Sequence, residues 1–454
     1  MTKSLTEGKP LKLILQFSAP ILLSMLFQQF YNLVDTMIVG RILGENALAA
    51  VSSTGSINFM IIGFCMGVCS GFAIPMAQAF GAQEPHELRR YIGSCVWLCV
   101  IFSAVLAIST GLLCTQILRW MGTPEEILAD AAAYIGILFW GIPVTYLYNM
   151  TSSMLRAVGD SRTPVVFLGL AAGLNIILDI VFITVCGMGV MGASVATVIA
   201  QGLSGLLCLF YIGKKFPILQ PKGEEWRLRR RHAVRLCGMG LPMGLQYSVT
   251  AIGSVILQSA VNSLGTTFVA AVGAANKLSV IFCCPFDALG AAIATYAGQN
   301  IGAGKPDRVR EGVNSCMLLG SVYAVSACAL FFAAGSTLAT AFADPSNTVL
   351  IGYIRHMLVV VSLFYIPLTG VNVYRFCIQG MGHSQIAILA GIFEMAARSI
   401  VGFVFVHLLG FSAACFANPA AWVAANCFLV PAYLHFSRCP LEPVVRRKSP
   451  CVND

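Results

Sequence analysis

Four oxygen-bearing side chains, set in otherwise apolar stretches of the sequence, could together bind a cation. Asp35 and Asp179 are acids, while Asn175 and Thr197 add an amide and a hydroxyl. Asn175 precedes Asp179 by about one helical turn, so a helix would place both on the same face. Such oxygens suit a hard cation such as Na⁺, whereas a buried pair of carboxylates can instead carry a proton. These residues therefore predict a cation-coupling site for H⁺ or Na⁺.

The two acids are predicted to lie at a similar depth in a membrane. At about 1.5 Å per helical residue, Asp35 lies about 9 Å below a turn at Arg41, and Asp179 lies about 12 Å below a turn at Gly187. Thr197 follows the second turn and reaches a matching level. A charge at the bilayer centre costs about 2.5 to 3.5 kcal/mol, so two acids at one depth favour a functional use. The alternative is that each acid only hydrogen-bonds a neighbouring helix.

Further charges lie in the apolar stretches of the second half. Glu394 and Arg398 are four residues apart, in the favoured order on one helix, which predicts a mutually neutralising pair. The alternative is that Glu394 binds a cationic substrate or a second coupling proton, and that Arg398 tunes its acidity. Other charged residues predicted within spans are Lys277, Asp287, Arg355 and Arg375.

The composition explains why these few charges are informative. Of 454 residues, 57% are hydrophobic and only 10% are charged, which is outside the range of soluble domains. Stretches without any Asp, Glu, Lys or Arg, such as 46–83 and 312–343, exceed the roughly 20 residues that cross a bilayer. Divided at their turn signals, such stretches predict an all-α polytopic membrane protein with twelve transmembrane helices.

An internal repeat divides the chain into two halves. The segment Gln78 to Ala82 returns as Gln299 to Ala303, and Pro20 has a counterpart in Pro242. Six spans in each half would bring both copies into the membrane from the same side, which predicts two six-helix bundles related by a pseudo-two-fold axis along the membrane normal. The predicted divisions are an N-terminal lobe (1–213), a cytoplasmic linker (214–234), a C-terminal lobe (235–437) and a cytoplasmic basic tail (438–454).

Basic residues lie mostly in one set of alternate loops, including Arg229 to Arg231 in the linker. The positive-inside rule then places both termini in the cytoplasm, and it accounts for the net charge of +9 without a nucleic-acid partner. We therefore expect a multi-pass protein of the cytoplasmic (inner) membrane that meets the lipid bilayer and small-molecule substrates and works as a monomer. The first apolar stretch is too long for a cleavable signal peptide.

The sequence does not predict a reactive centre. The 17 cysteines lie mostly in apolar spans, where cysteine packs as a small hydrophobic residue. The 6 histidines form neither an HxxxH nor an HExxH pattern. We therefore expect no enzymatic activity, no resident metal and no cofactor other than the coupling ion.

Proline and polar residues near Asp35 suggest how substrate and ion could be linked. Proline kinks a membrane helix, so Pro20 could bend in response to ion occupancy of Asp35, or it could simply shape a curved bundle. Gln28, Tyr31 and Gln246 are candidates for lining a substrate cavity, with core packing as the alternative interpretation.

Taken together, several motifs resemble one family. Ser18-Ala19-Pro20, the run from Gln28 to Thr36, and Asn175 to Asp179 are similar to motifs of the multidrug and toxic compound extrusion (MATE) transporters. The resemblance implies a V-shaped pair of six-helix lobes and alternating access. It also implies secondary active efflux, by antiport, of amphipathic and often cationic compounds in exchange for protons or sodium ions.

Within that family, the chain resembles the branch whose cation site lies in the N-terminal lobe. The acids of that site would match Asp35 and Asp179, its polar partners Asn175 and Thr197, and the kinking proline Pro20. The alternative function is a lipid-linked oligosaccharide or lipid flippase of the same superfamily.

Overall fold

The computed structural model of the chain describes residues 4–438. Within that range every regular element is helical. Ten helices are long and apolar enough to cross a membrane, and two further pairs of helices would each cross it as one bent span. The described residues thus contain the twelve predicted spans, six in each half. Apart from Arg438, the predicted basic tail (438–454) lies outside the described residues.

The N-terminal half contains nine helices among the described residues. They are α1 (Pro10–Leu43), α2 (Glu45–Ser53), α3 (Gly55–Gly81), α4 (Pro85–Leu112), α5 (Cys114–Trp120), α6 (Glu125–Trp140), α7 (Ile142–Ala157), α8 (Arg162–Ile180) and α9 (Val190–Lys215). A π-helical turn, Val181–Val185, extends α8.

The C-terminal half follows a similar order, with eight helices among the described residues. Its helices are α10 (Arg230–Asn262), α11 (Thr266–Gly302), α12 (Pro306–Ala339), α13 (Thr348–Ser362), α14 (Tyr365–Gly380), α15 (Ser384–Ile400), α16 (Val406–Leu409) and α17 (Phe411–Arg438). A π-helical turn, Val401–Phe405, extends α15 as its counterpart extends α8. The bent spans also correspond, since α6 and α7 meet at 46° and α13 and α14 at 50°.

Each half has its own hydrophobic core, but the first helix of each half begins in the other lobe. Ile14 and Phe17 of α1 belong to the core of the C-terminal lobe, whereas Val39 of the same helix belongs to the N-terminal core. Conversely, Leu236 of α10 belongs to the N-terminal core and Val261 to the C-terminal core. Both helices therefore cross between the lobes.

The lobes meet closely at the end of the bundle where α3 and α11 end. Gln78 Nε2 donates to the carbonyl oxygen of Gly380 (3.0 Å), and Gln299 Nε2 donates to that of Ala157 (2.8 Å). Gln299 Oε1 also accepts a hydrogen bond from the main-chain N–H of Leu5 (2.9 Å), so this end lies beside the start of the chain. The repeated glutamines thus seal one end of the molecule in a nearly symmetric way.

Candidate functional site

Three helices bring the four predicted oxygen-bearing residues into one region of the N-terminal lobe. Asp35 lies in the later part of α1, Asn175 and Asp179 lie near the end of α8, and Thr197 lies in α9. The π-helical turn that extends α8 begins two residues after Asp179, and such turns are frequent at functional sites. Asp35, Asn175 and Asp179 are 7%, 2% and 0% exposed, whereas Thr197 is half-buried.

Asn175 connects the polar groups of α8 and α9. Its Nδ2 lies 3.5 Å from Asp179 Oδ1 and 3.5 Å from Thr197 Oγ1, at the long limit for hydrogen bonds. Asp35 lies within electrostatic range of Asp179. Asn175 therefore joins the polar groups of α8 and α9 through two long contacts.

Three oxygen atoms of this cluster lack donors among the described residues. Asp35 Oδ1, Asn175 Oδ1 and Asp179 Oδ2 are all buried, and no hydrogen-bond partner reaches them within residues 4–438. A buried acceptor left unpaired costs about 1 to 3 kcal/mol, so three together are unusual in a well-packed protein. A metal cation, or a proton shared by the acids, would satisfy such a set.

Aromatic and amide groups surround the acids. Tyr31 of α1 and Tyr134 of α6 lie within electrostatic range of Asp35. Tyr31 also forms a hydrogen bond with the side chain of Gln201. Gln201 Oε1 in turn accepts a hydrogen bond from Thr145 Oγ1 (3.0 Å). Sequence reasoning missed Tyr134 and Gln201, because a single polar residue in an apolar helix carries no signal of what it faces.

The predicted kink and cavity residues lie along α1 and α10. Pro20 is inside α1, within the part of that helix that packs into the C-terminal core, since Phe17 and Ile21 both belong to that core. Gln28 and Tyr31 follow it and are half-buried. Gln246 of α10 is buried, and its Oε1 accepts a hydrogen bond from Gln379 Nε2 (2.7 Å). In this conformation Gln246 is therefore covered by α14.

The predicted pair of Glu394 and Arg398 in the C-terminal lobe is part of a cluster of three charged residues. Glu394 Oε2 lies 3.5 Å from Arg398 Nη2, as the spacing predicted, but Glu394 Oε1 forms a closer ion pair with Arg375 Nη2 of α14. Arg398 Nε also donates to Asn418 Oδ1 of α17 (3.1 Å). Arg375 was predicted to lie in a span, but its partner could not be inferred, because nothing in the sequence shows which helices are neighbours.

Known proteins share this fold, and a known family matches both halves of the chain. A family model described as MatE matches residues 20–181 and 242–414. A probable multidrug resistance protein of Bacillus subtilis is 34% identical over 67% of this chain and 68% of its own. An FAD transporter of Shewanella oneidensis is 24% identical over 66% of this chain and 68% of its own. A crystal structure of MATE in complex with MaL6 has the same fold, with a TM-score of 0.90 and 22% identity over 96% of this chain and 99% of that one.

Proposed function

This chain belongs to the MatE family, and we propose that it exports amphipathic, often cationic compounds in exchange for H⁺ or Na⁺ bound at Asp35, Asn175, Asp179 and Thr197. It is a multi-pass membrane transporter and not an enzyme. Multidrug efflux is the function that its relatives support, and the flippase alternative is not favoured.

The observation that carries the proposal is the set of unpaired oxygen atoms in the N-terminal lobe. Asp35 and Asp179 come from different helices, so an ion between them would draw α1 towards α8. Loss of the ion would leave two carboxylates that repel each other in a poorly solvated site. Ion binding thus favours one arrangement of α1, and ion release favours another, which is the requirement for coupling.

Pro20 gives α1 a place at which to change shape. Its ring removes one N–H donor from the helix, which makes bending easier there than elsewhere. Because Phe17 and Ile21, on either side of Pro20, pack in the C-terminal lobe and Asp35 lies in the N-terminal lobe, a bend of α1 between Pro20 and Asp35 would move the lobes relative to each other. We infer that this motion alternates access between the two sides of the membrane.

The orientation follows from the distribution of charge. We infer that the end sealed by Gln78 and Gln299 faces the cytoplasm, because the basic loops and the start of the chain lie there. The conformation described is then closed to the cytoplasm. The chain would work as a monomer in the cytoplasmic membrane, since one chain supplies every residue of the proposed ion site.

The family does not restrict the cargo to cations. One relative is named an FAD transporter, and FAD carries a negatively charged diphosphate. The charge of the compounds that this chain exports must therefore be decided from its own residues.

Transport in everted vesicles tests the proposed coupling. Uptake of the cationic dye rhodamine 123 is measured with an imposed pH gradient or an imposed Na⁺ gradient. We expect one gradient to drive uptake by the wild type, and Asp35→Asn and Asp179→Asn each to slow it at least about tenfold, since each removes a charged ligand. Asp130→Asn serves as the control, because Asp130 is exposed on α6. Normal uptake by Asp35→Asn under both gradients would refute the proposed site.

A further inference from the structure

The buried charges of the C-terminal lobe do not balance locally. Arg375, Glu394 and Arg398 are 7%, 3% and 5% exposed, so two guanidinium groups share one carboxylate inside the lobe. Removing charge from water is costly unless it is paired and hydrogen-bonded. One positive charge of this cluster therefore lacks a direct counter-ion among the described residues within ion-pair distance.

The same two arginines also carry unused hydrogen-bond donors. Arg375 Nε and Arg398 Nη1 are buried, and neither has an acceptor in the described part of the chain. Asn418 occupies Arg398 Nε, and Glu394 occupies one terminal nitrogen of each arginine. Planar guanidinium donors of this kind match the two oxygen atoms of a carboxylate or a phosphate.

The cluster reaches the contact region between the lobes. Arg375 lies within electrostatic range of Tyr247 and of Asp287, and Asp287 is exposed. Tyr247 packs against Gly63 of α3 in the N-terminal lobe and lies within electrostatic range of the half-buried Arg156 of α7. Arg375 is therefore close to the place where a compound between the lobes would pass.

Both lobes have a polar cluster just before a π-helical turn, but the unpaired atoms of the two clusters differ in kind. In the N-terminal lobe, Asn175 and Asp179 precede a π-helical turn, and Asn175 contacts Thr197 of the next helix. In the C-terminal lobe, Glu394 and Arg398 precede the corresponding turn, and Arg398 contacts Asn418 of α17. The unpaired buried atoms of the first cluster are hydrogen-bond acceptors, and those of the second cluster are donors. The two clusters thus suit ions of opposite sign.

We propose that Arg375 and Arg398 form a subsite for an anionic group, a carboxylate or a phosphate, on the transported amphiphile. A bound anion would accept hydrogen bonds from the guanidinium donors that Glu394 leaves free. Asp287 is within electrostatic range of Arg375 but is not paired with it at ion-pair distance among the described residues. The free donors are covered in this conformation, so the anion enters as α14 and α15 separate during the change of access. The inference rests on the proposed function and extends the cargo to zwitterions and anions.

Two dyes that differ in one ester test the subsite. Rhodamine 110 has a free carboxylate, and rhodamine 123 is its methyl ester. Binding of each dye to the purified full-length protein is measured by fluorescence anisotropy. We expect Arg375→Gln and Arg398→Gln to raise the Kd of rhodamine 110 at least about tenfold, because each removes a charged donor, and to change that of rhodamine 123 less than about twofold.

Matched variants separate this role from a structural one. Arg355→Gln removes an exposed arginine of the same lobe and should leave both dissociation constants unchanged. Glu394→Gln keeps both arginines and removes the competing carboxylate, so it should lower the Kd of rhodamine 110 even if the arginine variants fold poorly. Equal effects on the two dyes, or no tighter binding by Glu394→Gln, would overturn the proposal.

A lipid could present the same chemistry, so the titration is repeated in mixed micelles with phosphatidylcholine or phosphatidylglycerol. If phosphatidylglycerol displaces rhodamine 110 from the wild type, the subsite belongs to a lipid headgroup and the assignment to cargo is wrong. Unchanged binding of rhodamine 110 in the presence of phosphatidylglycerol supports the assignment to cargo.

The ion site and the anion subsite would fail in different experiments. If the ion site is wrong, rhodamine 123 uptake will not depend on Asp35. If only the anion subsite is wrong, rhodamine 123 uptake will still depend on Asp35.

Discussion

Gly81 lies directly against the main chain of Gln299, in the other lobe. A Cβ atom built on Gly81 would be 2.0 Å from the carbonyl oxygen of Gln299, and one built on Gly302 would be 2.0 Å from that of Gln78. Each of the two repeated segments therefore supplies a glycine, which faces the carbonyl of the other segment, and a carbonyl, which faces the other segment's glycine. The contact needs glycine because there is no room for a side chain between two backbones.

This reciprocal contact explains why the repeat is most evident around Gln78 and Gln299. The side chains of these glutamines hydrogen-bond across the lobes, and the glycines three residues later let the helix ends touch. Sealing one end of a two-lobed transporter requires the same fit from both sides, so both copies hold the same residues. The seal must also open if access alternates.

Substituting Gly81 with alanine should weaken this seal. The contacted atom belongs to the backbone and cannot turn away, so the helix ends must separate, at an overpacking cost of about 1 to 3 kcal/mol. We expect Gly81→Ala to lower the thermal unfolding temperature and to slow rhodamine 123 uptake by at least about threefold. Gly213→Ala is the control, because a Cβ there meets nothing within 4 Å. Equal behaviour of the two variants would show that the contact has no role in closure.

Thr197 should contribute to ion affinity rather than to the maximal rate. Its hydroxyl lies 3.5 Å from Asn175 Nδ2 and would be one of several ligands to the ion. Loss of one neutral ligand costs about 0.5 to 1.5 kcal/mol. We therefore expect Thr197→Val to raise the half-maximal concentration of the coupling ion about threefold or more, with a similar maximal uptake. Thr184→Val, at an exposed threonine on the adjoining π-helical turn, should leave both values unchanged.

The fold was largely predictable because its signals are local. The length of apolar stretches gave the twelve spans, and Gln78 and Gln299 marked the two copies. The pairing of Asn175 with Asp179, and of Glu394 with Arg398, also follows from spacing on one helix. Such features depend on a single segment and not on how segments pack.

Features that depend on packing were not predictable. The closer partner of Glu394 is Arg375, which lies on a different helix. Likewise, nothing in the composition of α1 or α10 shows that each helix begins in the opposite lobe. Phe17 of α1 packs in the C-terminal core, and Leu236 of α10 packs in the N-terminal core. The charge balance of the C-terminal cluster follows from these helix contacts, so its suitability for an anion became visible only in the structure.

The linker should detach from the N-terminal lobe in acid. Glu225 accepts hydrogen bonds from Arg89 Nε (2.7 Å) and from the main-chain N–H of Lys222 (2.9 Å). Burial alone would raise the pKa of Glu225, but these bonds outweigh it and lower the pKa to about 2. A carboxylate with a lowered pKa stabilises the folded state above its ordinary pKa of 4.5, and this stabilisation is lost as the pH falls towards 2.

Thermal unfolding measured between pH 7 and pH 3 would check this dependence. We expect Glu225→Gln to unfold at a lower temperature than the wild type at pH 7, and the difference to shrink steadily below pH 4.5. Glu224→Gln removes an exposed carboxylate of the same turn and should have little effect at any pH. A difference between Glu225→Gln and the wild type that stays constant with pH would assign the effect to packing rather than to charge.

Pro20 should matter for transport more than for stability. It lies between Phe17 and Ile21, which both pack in the C-terminal core, and α1 continues from there to Asp35 in the other lobe. Alanine restores an N–H donor and stiffens the helix, so the folded state should be at least as stable while bending costs more. We expect Pro20→Ala to slow rhodamine 123 uptake at least about threefold without lowering the unfolding temperature.

Pro242→Ala is the matched control, because it makes the same change in α10, which lacks an acid aligned with Asp35. It tests whether the bend must lie on the helix that carries the ion site. A larger loss of uptake in Pro242→Ala than in Pro20→Ala would place the moving helix in the second half and contradict the coupling through α1.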